Sequence, residues 1–503
     1  VERTGPQPPV TGRDRDDGGD TSVRKAAAAV VTAATALVLV GGYAGLDVAG
    51  AVPGPLTTTP APTAAPLPTA PGANVPAPSP VPVLPTLDAA APVPDPAVLG
   101  GTVGPLLTDP ALGASVSASV VDALTGRTLL ASADDVARTP ASTTKILTAV
   151  AALRALGDTS RATTRVVAGA TADEVVLVAG GDVLLAAGAG DPEAVAGHAG
   201  LGDLAAQTAA ALRAAGRTSV AVRLDDGSFT GPATSPGWGA GDVGSGFVMP
   251  IAPLAVDEAR LGPGENAPRA ADPALGAALL FVQALTADGI TVLDQGSGSS
   301  SVPVARAAAQ PGAKQLAAVS SATTAEQVEL MLTDSDNTLA EVLARRVALA
   351  TGRTGTFDDA SAAVVDEVAA LGVDVTGVHL QGASGLGRDA RIPARTLTSL
   401  LSVIAAGKHP ELGAVAAGLP VAAVSGTLAD RYDQPDSTAA AGVVRAKTGT
   451  LTGVSSLAGF LRDADGRLLA FAVMSDSVTP GGSVTARRAQ DRFATALAAC
   501  GCR

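Results

Sequence analysis

The chain has 503 residues, more than a single ordinary core accommodates, so two or more domains are expected. Its 34 basic and 47 acidic residues leave a net charge of −13, which excludes nucleic acid as the main partner because phosphate binding needs a basic footprint. Two cysteines (Cys500, Cys502), three dispersed histidines (His198, His379, His409) and 2% aromatics exclude a disulfide framework, a Cys-rich or HExxH zinc site and a base-stacking platform.

In chain order, residues 1–25 are polar, of mixed charge, and read as a disordered cytoplasmic tail. Residues 26–45 are uncharged and long enough for one helical membrane span, and Arg24 and Lys25 on its N-terminal side predict that the rest of the chain lies outside the cytoplasm. Cleavage near Ala49-Gly50-Ala51 is the alternative to an uncleaved anchor, and would leave a secreted protein. Residues 46–100 form a Pro-rich linker, with fifteen prolines between Pro53 and Pro96, that reads as an extended extracytoplasmic spacer.

The globular part is expected from Gly101. Strands are predicted over 115–124 and 128–131, then a helix opened by Thr139-Pro140 with Ile146, Leu147, Val150, Leu153 and Leu156 on its apolar side. Residues 162–310 are strand-rich, with a helix over 204–215 and a strand over 219–224. Helices follow at 324–332 and 339–350. The C-terminal part reads as strand (443–447), strand (454–461), an Asp463-to-Gly466 turn, strand (468–474) and helix (484–499). The Cys-Gly-Cys end reads as a frayed tail, with a local disulfide between Cys500 and Cys502 as the alternative.

Only five lysines and three asparagines occur, so motifs built from them stand out. Ser142-Thr-Thr-Lys145 places a hydroxyl and an amine on one helix face. Ser is a weak nucleophile until a base takes its proton, and a lysine of lowered pKa can be that base. The motif is not specific alone, since Ser22-Val-Arg-Lys25 has the same spacing in the tail. Ser335-Asp-Asn337 lies between two helical patterns: Ser335 suits proton delivery to a leaving amine and Asn337 the orientation of a peptide, while a helix N-cap is the competing structural role. Lys447-Thr448-Gly449-Thr450 ends a strand. There Lys447 supplies positive field that favours neutral Lys145, Gly449 permits close approach, and the Thr450 N–H is a candidate oxyanion donor beside that of Ser142. A lysine guarding an exposed edge strand is the structural alternative.

The set SxxK, SxN and KTG, in this order on helix, loop and strand, resembles the penicillin-recognising serine D,D-peptidases. More narrowly it resembles the class C low-molecular-mass penicillin-binding proteins, the D-alanyl-D-alanine carboxypeptidase/endopeptidase family. The long gap between Lys145 and Ser335, Asp226-Gly-Ser-Phe229, Pro236-Gly-Trp238, Ser384-Gly-Leu386 and Gly426-Thr-Leu428 all match that family. Gly382-Ala383, where an acidic residue is usual, and the short stretch from Arg260 to Asp272 depart from it.

The resemblance implies an α/β (α+β) transpeptidase fold, with an antiparallel sheet flanked by helices. The peptidase domain would be discontinuous over 101–161 and 311–503, with 162–310 inserted. It implies a hydrolase acting on the D-Ala-D-Ala end of peptidoglycan stem peptides, with the D-Ala cross-links as a second class of substrate, through acylation of Ser142 by way of Lys145. Ser335, Asn337 and Lys447 would assist, Thr448, Gly449 and Thr450 would line the substrate and oxyanion site, and β-lactams would inhibit. It implies no metal or cofactor. The rival readings are a serine β-lactamase, which the absence of an E-x-x-L-N pattern after the second motif disfavours, and a catalytically inactive wall-binding protein.

Overall fold

The structure, a computed structural model, describes residues 40–48, 88–295 and 303–502. Residues 40–48 are helical; the expected tail, residues 26–39 of the expected span and residues 49–87 of the linker lie outside the described residues. No helix among the described residues is long and apolar enough to cross a membrane.

The C-terminal apolar runs form the central sheet. Its strands run Arg445–Leu451, Val454–Arg462, Leu468–Ser475, Val116–Asp122 and Thr128–Ser132 in spatial order, and every pair is antiparallel. Val454–Arg462 is buried along all but its last residue because helices cover both faces. Period-two alternation sorts its side chains. Leu457 and Leu461 join Leu469, Phe471 and Val473 against Phe493 and Leu497 of the helix Ser483–Ala498 and Leu99 and Val103 of the helix Pro96–Val103. Ala458 and Phe460, with Ala470, Ala472 and Met474, pack instead on Ile146, Val150, Leu343 and Leu397 of the helices Lys145–Leu156, Asn337–Ala350 and Ala394–Ala405.

Packing begins before Gly101. Asp95 caps the helix Pro96–Val103 through Ala97 N and Val98 N, and its own N–H donates to the Cys502 carbonyl at 2.7 Å. The C-terminal end is therefore not the frayed tail expected: Cys500 and Cys502 form a disulfide, and both are buried against the core around Leu99. Chain proximity at a Cys-x-Cys pair shows that bonding is possible, but only the docking of residues 95–99 buries it.

Between Arg161 and Thr323 a second, mixed sheet forms around its own core. Its main strands are Val304–Arg306, Ser219–Asp225, Glu174–Val178, Arg161–Ala168 and Gln315–Thr323 in spatial order, with Thr291–Val292 pairing on Ser219–Asp225. The helices Leu201–Ala214 and Pro273–Ala287 bury Leu204, Leu212, Phe281 and Leu285 on it. The aromatic landmarks are structural. Trp238 meets Phe357 edge-on at 5.3 Å, and the buried Arg345 guanidinium lies 4.1 Å above the Phe357 ring while donating to the carbonyls of Thr230, Pro232 and Gly355.

Candidate active site

The three motifs converge. Ser142 sits in the 3-10 turn Ala141–Thr144 and Lys145 begins the α-helix that follows. Lys145 is fully buried, and its Nζ lies 3.1 Å from Ser142 Oγ, 2.7 Å from Asn337 Oδ1 and 2.7 Å from the Ser384 carbonyl. Burial lowers its pKa from 10.5 to about 7, although the nearby Asp336 and Glu341 charges favour the ammonium. A neutral amine has two N–H donors and one lone pair. Asn337 Oδ1 and the Ser384 carbonyl accept the two donors, so the lone pair is left for the Ser142 hydroxyl proton.

Lys447 is also fully buried, and its pKa lies well below the usual 10.5, first through burial and then through repulsion from Lys145; Asp334 opposes both. Of the two causes expected from the sequence, burial and a second cation, burial is the larger at Lys145, and the two buried amines repel one another. Lys447 Nζ donates to the Thr448 carbonyl at 3.2 Å.

The SxN segment contains the helix cap considered for it and also places two of its side chains at the site. Asp336 caps the helix Asn337–Ala350 by accepting from Leu339 N at 2.9 Å, while Ser335 and Asn337 face the site. Ser335 holds a left-handed backbone (φ 63°), unusual without glycine, and its hydroxyl makes no hydrogen bond among the described residues. Asn337 Nδ2 donates to the Phe247 carbonyl at 3.0 Å.

Strand geometry fixes which way the N–H groups of the third motif point. Arg445–Leu451 is the edge strand, in unbroken register with Val454–Arg462. Ala446 N–H points outward, donating to the Pro420 carbonyl at 2.9 Å, so by alternation the N–H groups of Thr448 and Thr450 also point away from the sheet. Gly449 brings that edge against the nucleophile: a Cβ there would collide with Ser456 Oγ, lie 2.6 Å from the Pro140 carbonyl and 3.1 Å from Ser142 N. Gly385 (φ 87°) has the same function from the opposite side, since a Cβ would run into the Ala141 carbonyl. Ala141 itself is buried with φ 47°, so the turn before the nucleophile is strained and held by its surroundings.

Two openings reach the site. Ser142, Leu386, Arg388 and Thr450 line a pocket of about 460 Å³, and Ser335, Asp336, Thr427 and Glu258 line a cleft of about 600 Å³. Phe247 and Asn337 border both. Ser142 lines the smaller opening and Ser335 the larger one. Thr448 Oγ1 and Thr427 Oγ1 are 2.8 Å apart at the cleft edge, and Arg487 Nη2 donates to Thr450 Oγ1 at 3.4 Å.

Sequence reasoning did not find Glu341, Phe247 or Arg487, and it marked Ser384 only as part of a family match, with no role for its carbonyl. Glu341 is fully buried and accepts from Ala383 N, Ser384 N and Ser384 Oγ, the last at 2.6 Å. It thereby brings a carboxylate to the Gly382-Ala383 segment that lacks one of its own. A signal existed for it: Glu341 and Arg345 interrupt an otherwise apolar stripe at i, i+4. The carbonyls of Ser384 and Phe247 had no such signal, because every residue carries one.

The family model of the D-Ala-D-Ala carboxypeptidase 3 (S13) peptidases matches residues 99–267 and 263–497. The chain belongs to the S13 family. This S13 chain is 40% identical over 399 residues to a carboxypeptidase of Mycobacterium tuberculosis, covering 78% of this chain and 82% of that one. It is 37% identical over 400 residues to carboxypeptidase DacB of Mycolicibacterium smegmatis, covering 79% and 83%. Its fold matches penicillin binding protein 4 (dacB) of Haemophilus influenzae with a TM-score of 0.62 at 21% identity, over 80% of this chain and 98% of the other. The same Haemophilus protein has also been solved in complex with a β-lactam (TM-score 0.58). The S13 chain is thus a serine-type D-Ala-D-Ala carboxypeptidase family enzyme on a penicillin-binding/β-lactamase-like α/β fold.

Proposed function

We propose that the protein removes the terminal D-Ala from peptidoglycan stem peptides through a Ser142 acyl-enzyme. The observation that carries this reading is the disposition of Lys145, with two acceptors engaged and one lone pair left for Ser142. The Ser142 proton passes to Lys145 Nζ as Oγ attacks the carbonyl carbon of the penultimate D-Ala. The N–H groups of Ser142 and Thr450 stabilise the resulting oxyanion. As the peptide C–N bond breaks, the Ser335 hydroxyl gives its proton to the departing amine and regains one from the Lys145 ammonium. Asn337 orients the acyl chain. Water then attacks the ester, its proton goes to Lys145, and Ser142 leaves reprotonated. A β-lactam follows the first half of this path and remains on Ser142.

Mass spectrometry after incubation with a penicillin tests the proposal. Wild type is expected to gain the mass of one penicillin at Ser142 and Ser142→Ala none; an adduct of equal yield in Ser142→Ala would refute it. Rapid loss of the wild-type adduct would point to a β-lactamase instead.

The substrate's free carboxylate is assigned to Thr448, Thr450 and Arg487. Arg487 forms no ion pair among the described residues, because the neighbouring Arg431 takes Asp491, so a half-buried cation remains beside Thr450. Arg487→Ala is expected to lower kcat/KM about tenfold for a peptide ending in a free D-Ala carboxylate, mainly through KM, the loss of one charge-assisted hydrogen bond. A substrate amidated at that carboxylate should be unaffected; equal losses on both would remove Arg487 from the site.

Ser335, the assigned donor to the leaving amine, opens on the 600 Å³ cleft, which holds far more than an alanine. We therefore extend the proposal to D-Ala cross-links, tested by digestion of a cross-linked muropeptide dimer. We also propose that catalysis takes place outside the cytoplasm, on the strength of the apolar stretch 26–45 and the Pro-rich segment after it.

A further inference from the structure

We propose that Arg269 is a positioning residue for Asn337, acting through the backbone of Gly246 and Phe247. The inference rests on the acyl-transfer reading above. Arg269 is remote from the three motifs in sequence, yet its side chain is only 3% exposed. Its guanidinium grips one carbonyl with two nitrogens: Nε and Nη2 donate to Gly246 O at 3.2 and 2.9 Å. Nη1 donates to Glu258 Oε2 and to the Glu258 carbonyl, both at 3.1 Å, and Nη2 also donates to the Glu265 carbonyl at 3.0 Å.

The next carbonyl along the chain, that of Phe247, is the one that receives Asn337 Nδ2. That contact decides which way round the Asn337 amide sits. With Nδ2 held by Phe247 O, Oδ1 faces Lys145 Nζ at 2.7 Å and accepts from it. A flipped amide would set donor against donor and remove one of the two acceptors that leave the Lys145 lone pair free. Arg269 therefore governs the general base through one peptide unit and one amide.

Two further observations show that this clamp is built and not incidental. Asp257, Glu258 and Ala259 all have left-handed backbones (φ 44°, 48° and 58°) without a glycine among them, a conformation that costs free energy at each residue and delivers the Glu258 carboxyl to Arg269. Two residues beyond Phe247, Met249 N donates to Thr338 Oγ1 at 3.1 Å, so segment 246–249 is fastened on the far side as well.

A double-mutant cycle on the full chain, read as the rate constant for acylation by a penicillin, tests this. Arg269→Ala is expected to slow acylation about 10- to 100-fold through misplacement of Asn337. Asn337→Ala slows it as well, and the double variant should be within about twofold of Asn337→Ala alone. A merely structural role for Arg269 would multiply the two losses instead. Circular-dichroism melting establishes that each variant is folded. If Arg269→Ala is not, Arg269→Lys carries the cycle, since it keeps the charge facing Glu258 and gives up the forked grip on Gly246 O. Wild-type acylation in the folded Arg269 variant, or multiplied losses, overturns the inference. Absence of any adduct in wild type, or an undiminished rate in Asn337→Ala, overturns the acyl-transfer reading first and the inference with it.

Discussion

Replacing Lys145 with alanine is expected to lower the rate constant for acylation by a penicillin by about 10³- to 10⁴-fold, the upper part of the range for loss of a general base. The size follows from isolation. Lys145 Nζ is the amine 3.1 Å from Ser142 Oγ, and Lys447 Nζ is turned to the Thr448 carbonyl. The same geometry sets the pH dependence. The reactive form is the neutral amine, and burial brings its pKa to about 7. The neutral fraction therefore rises with pH, so wild-type acylation should climb about tenfold per pH unit below 7 and level off above it. Stopped-flow acylation across this range checks both points. A flat profile, or a Lys145→Ala rate within about tenfold of wild type, would assign the base elsewhere.

Glu341→Ala is expected to be the most damaging change to stability that leaves the three motifs intact, at about 3–5 kcal/mol. The carboxylate is fully buried and satisfies Ala383 N, Ser384 N and Ser384 Oγ, so its removal orphans three donors in a site that water does not reach. The damage also spreads, because this short segment supports the helix of the nucleophile: Thr148 Oγ1 donates to the Ala383 carbonyl at 2.7 Å and Lys145 to that of Ser384. Urea unfolding should show the loss of stability. Acylation by the folded fraction should fall too, since the Ser384 carbonyl is one of the two acceptors that orient Lys145. Glu341→Gln keeps one oxygen acceptor and should lie between the two; stability equal to wild type in Glu341→Ala would contradict the hub role.

Most of the peptidase scaffold could be read from pattern. The strands around 116–122, 128–132, 454–462 and 468–475 and the helices near 145, 324, 337 and 483 were expected within a few residues, because each carries strong apolar periodicity and turn residues at its ends. The helix Pro273–Ala287 falls in a region read from sequence as strand-rich, since Leu275, Leu279 and Leu280 outside its buried face are as apolar as Ala274, Ala278, Phe281 and Leu285 on it, so the sequence marks no polar side. The Cys500–Cys502 end was misjudged because its burial depends on Asp95 and Leu99, some four hundred residues away in the chain.

Within the site, the sequence by itself determined the identity and order of the motifs that meet there. Ser142 and Lys145 are neighbours on one turn through a local spacing, and the scarcity of lysine and asparagine drew attention to Asn337 and Lys447. Only the tertiary structure decided which state those groups are in. The lowered pKa of Lys145 comes from burial, the outward N–H of Thr450 from strand register, and the orientation of Asn337 from a carbonyl in a distant loop. The physical reason is the same in each case. Desolvation, sheet alternation and backbone acceptors belong to the packed chain, and no side-chain motif encodes them.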